Sequence, residues 1–87
     1  MSDLTRTDVI KLIAIATKPL DLSGVDLSGV NLSFLNLKGA NLSRANLSGA
    51  NLRFADLGEV ILQNLDLSNV NLSLTNLIGA DLTGVIR

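Results

Sequence analysis

The 87-residue sequence contains no cysteine and no histidine. Without Cys it can form no disulfide and has no thiolate nucleophile, and without both residue types the usual zinc sites cannot be built. We therefore expect neither a metal nor a cofactor. Because disulfides are the feature that separates oxidising from reducing compartments, their absence leaves the redox compartment undetermined.

Aromatic residues are almost absent too, with two Phe and no Trp or Tyr, although hydrophobic residues make up 47% of the chain. Aromatic side chains normally supply much of the bulk of a globular core. A chain this short has room for one domain and buries little core as an ordinary globule. Some regular arrangement of small aliphatic side chains must therefore replace aromatic bulk.

Long apolar runs and strong charge are also lacking. The net charge of −1 gives no electrostatic reason to expect nucleic-acid or membrane binding. The longest apolar run, Leu12 to Ala16, is far shorter than the roughly 20 residues that span a bilayer. Asp3 and Asp8 dilute the positive charge that a signal peptide needs, and Lys11 and Lys18 shorten its apolar core. We expect a cytoplasmic protein.

The single proline, Pro19, marks a change of composition. Thr7 followed by Asp8 is typical of a helix start, and Pro19 favours a helix end near Thr17. We predict one short amphipathic helix over Thr7 to Thr17, in an N-terminal segment of residues 1–18. The alternative is a frayed leader, because isolated helices of this length are marginal in water. Its apolar residues have partly helical spacing: Leu4, Val9, Ile10, Leu12, Ile13 and Ala16.

Residues 19–87 repeat every five positions. Asp or Asn precedes each repeated leucine except at Ile61, and Ala, Val, Leu or Thr stands two positions before it. The thirteen leucines are Leu22, Leu27, Leu32, Leu37, Leu42, Leu47, Leu52, Leu57, Leu62, Leu67, Leu72, Leu77 and Leu82. A short repeat without interruption predicts a solenoid, whose units bury a core only by stacking.

The repeat also indicates which side chains point inward. The two apolar positions lie two apart, so they share one face of an extended segment. The position two after each leucine is rich in residues that tolerate positive φ, which predicts a corner there. These residues are Gly24, Gly29, Gly39, Gly49, Gly79, Gly84, Asn64 and Asn69.

Folding the sequence at intervals of twenty residues gives the most regular pattern. Whole layers of the smaller inner position then alternate in bulk, which suits packing between neighbouring layers. The first layer is Leu20, Val25, Val30 and Leu35, the second Ala40, Ala45, Ala50 and Ala55, and the third Val60, Leu65, Val70 and Thr75. We predict twenty residues per turn, with Leu22, Leu42, Leu62 and Leu82 in one internal column.

The segment ANLSRANLSGANLRFADLGEV resembles the pentapeptide-repeat family, whose motif is a small residue, Asn or Asp, Leu and two variable residues. The resemblance covers Leu20 to about Val85. It implies an all-β solenoid, a right-handed four-sided β-helix. We expect the short N-terminal helix to cap its first coil, because the apolar face of that helix has no other surface to bury against. Departures are Ile61 and the bulky inner layers. The motif is specific for fold and weakly specific for function.

No catalytic constellation is present. The serines share the slot after the leucine and lack a base, and the glycines are spaced as corners rather than as a phosphate-binding loop. We predict that the acidic side chains of the Asn/Asp slot bond the corner backbone, and that the protein is not an enzyme. These residues are Asp21, Asp26, Asp56, Asp66 and Asp81.

One column of corner positions carries large apolar side chains that the repeat motif does not require. Phe34, Phe54 and Leu74 occupy the outward corner slot at intervals of twenty, and we expect Arg44 and Arg53 to flank them. Exposed apolar stripes often mark interfaces. The alternatives are that the column packs on a folded-back terminus or is exposed without a role.

The C-terminal coil is the second such feature. An end coil of a solenoid exposes apolar core and unpaired backbone edges. We expect a twofold dimer through this coil, because an isologous contact closes after two chains; an unidentified protein partner is a further possibility. The residues of this end are Leu72, Leu77, Leu82, Val85 and Ile86.

The sequence thus favours a noncatalytic structural or protein-interaction module. One alternative is a DNA mimic that binds a topoisomerase, and another is a binder of ice or a similar surface through the Ser and Asn columns. Mimicry needs a long acidic rod, whereas just over three turns at about 4.8 Å each give about 16 Å. The Ser and Asn columns are mixed, which weighs against surface binding.

Overall fold

A computed structural model describes residues 2–87, which form one helix, α1 (Arg6–Ile15), followed by a solenoid. Successive turns are joined by isolated parallel β-bridges between residues twenty apart. The bridges are Asp21–Asn41, Asp26–Asn46, Asn31–Asn51, Asn36–Asp56, Asn41–Ile61, Asn51–Asn71, Asp56–Asn76, Ile61–Asp81 and Asp66–Ile86. The predicted period of twenty residues, four pentapeptides per turn, is confirmed, and a period of fifteen is excluded.

Helix α1 begins with a capping box. The Asp8 amide donates to Thr5 Oγ1 at 3.2 Å, and the Thr5 amide donates to Asp8 Oδ2 at 2.9 Å. The prediction of a helix over Thr7 to Thr17 is therefore correct in kind but wrong at both ends. The reciprocal pair requires a cap three residues before Asp8, and Ala16 has already left the helix with φ −68° and ψ 133°.

Each pentapeptide contributes one bridge residue and one β-turn. The amide of the fourth turn residue donates to the leucine carbonyl, as from Ala45 to Leu42 at 3.0 Å. The third residue is left-handed, with φ of 70° at Gly24 and 59° at Arg44, which defines a type II turn. The predicted corner slot is confirmed as a turn, and its third residue has positive φ at every corner but one.

Each Asn or Asp of the repeat stabilises its own corner. Its Oδ1 atom accepts a hydrogen bond from the amide two residues on, as from Ser43 to Asn41 at 3.0 Å. The Ser43 hydroxyl donates to the same oxygen at 2.7 Å. This arrangement confirms that these side chains bond the corner backbone. It also explains why the slot favours short carbonyl side chains, with Ile61 as the exception before the thirteen leucines.

The interior is filled by the leucines and by the small residue two positions before each. Leu22, Leu42 and Leu62 are buried in the predicted column, and Leu82 continues it half-buried. The alanine layer is buried throughout, from Ala40 to Ala55. Because Ala fills little space, the leucines of neighbouring layers supply most of the core volume.

Helix α1 lies against the first turn. Val9 is fully buried in the core, and Leu12 and Ile13 are partly buried against it. Two polar contacts fix this position from outside. The Asp3 amide donates to the Asp26 carbonyl at 2.7 Å, and the Asp26 amide donates to Asp3 Oδ2 at 2.9 Å. Arg6 Nη1 donates to the Asn31 carbonyl at 2.8 Å.

One corner departs from the pattern. Asn69 lies at a turn, since the Val70 amide donates to the Leu67 carbonyl at 3.2 Å, but its φ is not positive. The predicted corner at Asn69 is thus present without the left-handed conformation, whereas Asn64 adopts that conformation with φ 63°. Asn tolerates positive φ without requiring it, so the residue type alone does not decide the turn.

Candidate interaction surfaces

Phe34, Phe54 and Leu74 occupy the same corner of three successive turns, and we call them the corner column. Their side chains are 70%, 43% and 68% exposed. The two rings stack with centroids 4.9 Å apart and planes at 17°. Arg53 places Cζ 5.1 Å from the Phe54 centroid, within cation–π range. The column is therefore an ordered apolar surface with one adjacent cation.

The expectation that Arg44 flanks the corner column is wrong. Arg44 stacks in the column of Gly24 and Asn64, which lies two corners further along the turn. Ten residues, half a turn, separate it in sequence from both Phe34 and Phe54, so the period of twenty places it on the other side of the solenoid.

The corner column has a strained backbone. Phe34, Phe54 and Leu74 have φ of 66°, 61° and 57°. A left-handed conformation costs a bulky L-residue about 1–2 kcal/mol, whereas glycine adopts it freely. Six corners of this solenoid carry a positive-φ glycine instead. Glycine would hold these three corners without that backbone strain.

The last turn presents its core edge. Leu72, Leu77, Leu82 and Val85 are half-buried, and Ile86 is exposed although it bridges to the preceding turn. The leucines come together around a depression of about 180 Å³, which Val85 and Ile86 do not line. Its walls are Leu67, Ser68, Leu72, Leu77, Leu82 and Arg87.

The carboxylates of the Asn/Asp slot accept hydrogen bonds from the turns that follow them. The Ser23 hydroxyl and amide bond Asp21 and hold the pKa of that carboxyl below its ordinary value. Ser68 lowers the pKa of Asp66 in the same way. The Thr83 hydroxyl, with Gln63 Nε2 at 2.7 Å, lowers the pKa of Asp81. These groups stay ionised, and the hydrogen bonds that they accept stabilise the turns.

Two exposed apolar residues escaped the sequence analysis, Ile15 and Ile78. Ile78 stands in the slot after the leucine, where every other residue of the repeat is polar or glycine. That departure was the available signal. For Ile15 the signal was weaker, because the helix pattern is only partly amphipathic.

Within residues 2–87 no cluster of three or more metal-ligating side chains is assembled. No helix in the same part of the chain is long and apolar enough to cross a membrane.

A family model described as pentapeptide repeats matches residues 21–57 and 50–86. The chain belongs to the pentapeptide repeat family. Proteins of this family form right-handed β-helices and are generally structural or interaction modules. No protein of curated function matches the chain.

Two solved structures show how this pentapeptide repeat chain relates to others. It is 37% identical to a pentapeptide repeat protein from the cyanobacterium Cyanothece 51142, with a TM-score of 0.53 over 76% of this chain. It is 34% identical to one from Nostoc Pcc 7120, with a TM-score of 0.52 over 93% of this chain. The chain spans 52% of the first protein and 74% of the second.

Proposed function

We propose that this chain is a noncatalytic protein-interaction module that presents the corner column to a protein partner. The observation that carries the proposal is the combination of strain and exposure. Phe34, Phe54 and Leu74 hold unfavourable backbone conformations and place apolar side chains in water. Both costs are offset once a partner covers the column, because each buried large apolar side chain contributes about 1.5–3 kcal/mol.

The geometry of the column supports this role. The stacked rings hold each other in place, so little side-chain entropy remains to be lost on binding. Aromatic and Arg side chains are also the residues most enriched in binding hot spots, and Arg53 lies beside Phe54. The column therefore has the composition and the rigidity of an interface centre.

The test is the double variant Phe34→Gly/Phe54→Gly. Glycine relieves about 1–2 kcal/mol of strain per corner, but it loses about 0.5–1 kcal/mol per corner in chain entropy and removes a ring stack of about 0.5–1.5 kcal/mol. These terms nearly cancel, so the unfolding free energy should change little. The double variant should no longer capture the specific partners that the wild type captures from a lysate of the native cell, measured side by side. Arg44→Gly is the matched control, since it changes the same slot on another corner and should retain them.

Two results would contradict the proposal. Unchanged partners in the double variant would remove the column from the interface. A large loss of stability in urea would show that the rings serve the fold instead.

We also propose that the cross-section is four-sided and that residues 1–18 cap the repeat unit of residues 19–87. Four pentapeptides per turn with one corner each support the first point. The burial of Val9 against the first turn supports the second. Deleting residues 1–18 should cause aggregation or lower the melting temperature. A deletion variant that stays monomeric and melts unchanged would reject the cap.

Self-association through the last turn is a further proposal, supported by the half-exposed leucines around its depression. A second copy of the same end can cover them, and a twofold contact closes without forming filaments. Leu82→Glu or Ile86→Glu should give monomers by sedimentation, whereas Phe54→Glu should not. A wild-type monomer at high micromolar concentration would overturn this proposal.

A further inference from the structure

One rung of the solenoid is unpaired. On the neighbouring sides, Leu42 donates to the Ile61 carbonyl and Leu52 to the Asn71 carbonyl, both at 2.8 Å. The equivalent bridge between Asn46 and Asp66 is missing. Within residues 2–87, no hydrogen-bond partner lies against the backbone N–H of Leu47, the C=O of Ala45, or the N–H and C=O of Asp66.

The corner at Asn69 accounts for the gap. At other corners, the carbonyl of the second turn residue accepts from the corner amide of the turn before, as Ser73 does from Phe54 at 3.2 Å. Here the Gly49 amide donates instead to the Asn69 carbonyl, at 3.0 Å. Type I and type II turns differ by reversal of the central peptide. Reversal between Ser68 and Asn69 turns the expected acceptor away and shifts the contact by one residue.

The unpaired groups are not all at the surface. Leu47 is 1% exposed and Ala45 is 6% exposed. Buried backbone groups in folded proteins are nearly always paired with protein or with ordered water. Beside them lies a cleft of about 300 Å³, with room for several water molecules at about 30 Å³ each. It is lined by Arg44, Ala45, Asn46, Leu47, Ser48, Asp66, Ser68 and Asn69.

We propose that this cleft is an ordered-water site that replaces the missing rung. One water accepts from the Leu47 N–H and donates to the Asp66 carbonyl. A second accepts from the Asp66 N–H and donates to the Ala45 carbonyl. Water fits because each gap needs one acceptor and one donor; a simple anion lacks the donor and a metal ion lacks the acceptor.

The site is reversible. Asn64 adopts positive φ at its corner, so Asn69 can adopt it as well. Reversing the 68–69 peptide would turn the Ser68 carbonyl toward Gly49, pair Leu47 with Asp66, and expel the water. The rung between Asn46 and Asp66 thus opens and closes with the conformation of Asn69.

Amide hydrogen exchange by NMR tests the proposal. The Leu47 amide should exchange about 10–100-fold faster than those of Leu42 and Leu52, as expected of a locally opened pair. It should also show a magnetisation-transfer contact with bound water. In Asn69→Gly, which removes the cost of positive φ, Leu47 should become as protected as its neighbours. Asn64→Gly is the matched control and should leave Leu47 unchanged.

Three results would overturn the proposal. Equal protection of Leu47, Leu42 and Leu52 in the wild type would mean that the rung is closed. Fast exchange of Leu47 without a bound-water contact would mean that the gap is not a water site. Unchanged exchange in Asn69→Gly would remove Asn69 from control of it.

Discussion

The first and last turns of the solenoid carry the same leucines in the same slots but bury them differently. Leu22, Leu27, Leu32 and Leu37 are buried in the first turn, whereas Leu72, Leu77 and Leu82 are half-buried at the other end. Helix α1 lies against the first turn, and its Val9 belongs to the core there. The repeat therefore decides which way a side chain points, and its neighbours along the axis decide how much water it loses.

Leucine truncation should give the largest effect. Leu42→Ala, in a middle turn, leaves a cavity in a closed core and should lower the unfolding free energy by about 2–5 kcal/mol. Leu82→Ala removes the same atoms from a half-exposed site and should cost about 1–2 kcal/mol. Urea titration of both variants measures the contrast. Equal losses would mean that the last turn is covered as fully as the middle turn in solution.

The contribution of α1 to this contrast can be measured at Val9. Val9→Ala removes two methyl groups from a fully buried site and should cost about 2 kcal/mol. Ile10→Ala is the matched control on the exposed face of the same helix and should stay within about 0.5 kcal/mol of wild type. Thermal melting of the pair is sufficient. If the two variants melt together, α1 is not docked on the first turn.

Outward polar groups should matter less than the leucine beside them. Asn41→Ala loses the bonds from the Ser43 amide and hydroxyl and should cost about 0.5–1.5 kcal/mol. The comparison with Leu42→Ala uses neighbouring residues of one turn. A loss from Asn41→Ala as large as that from Leu42→Ala would reverse the assignment of inside and outside.

Lowering the pH is expected to change the stability of the fold least among these tests. Asp21, Asp66 and Asp81 have folded-state pKa values below their unfolded values. Their stabilising contribution is therefore complete above the unfolded pKa and is lost as pH falls through the lower folded pKa. Urea midpoints should decline modestly below about pH 4. Asp21→Asn should reduce this decline, and a decline that begins near neutral pH would contradict the assignment.

Most of the fold could be predicted because the same five-residue motif occurs thirteen times in succession. The period of twenty, the inward leucines and the corner-bonding Asn and Asp all follow from local chemistry. The ends of α1 could not be placed as well, because Thr5 and Thr7 are both plausible caps and the choice depends on the reciprocal bond with Asp8. The prediction for Arg44 is wrong for another reason, because a separation of ten residues from Phe34 and from Phe54 is half a turn of the solenoid.

The sequence by itself determined the five-residue unit, the direction of each side chain and the corner column of Phe34, Phe54 and Leu74. These properties need only local geometry and identical stacking. The tertiary structure alone decided the burial of Val9, the stacking of the two rings and the hydrogen bond from Gly49 to the Asn69 carbonyl. Each depends on contacts between residues distant in sequence, where several local conformations are nearly equal in energy and the neighbouring element selects one.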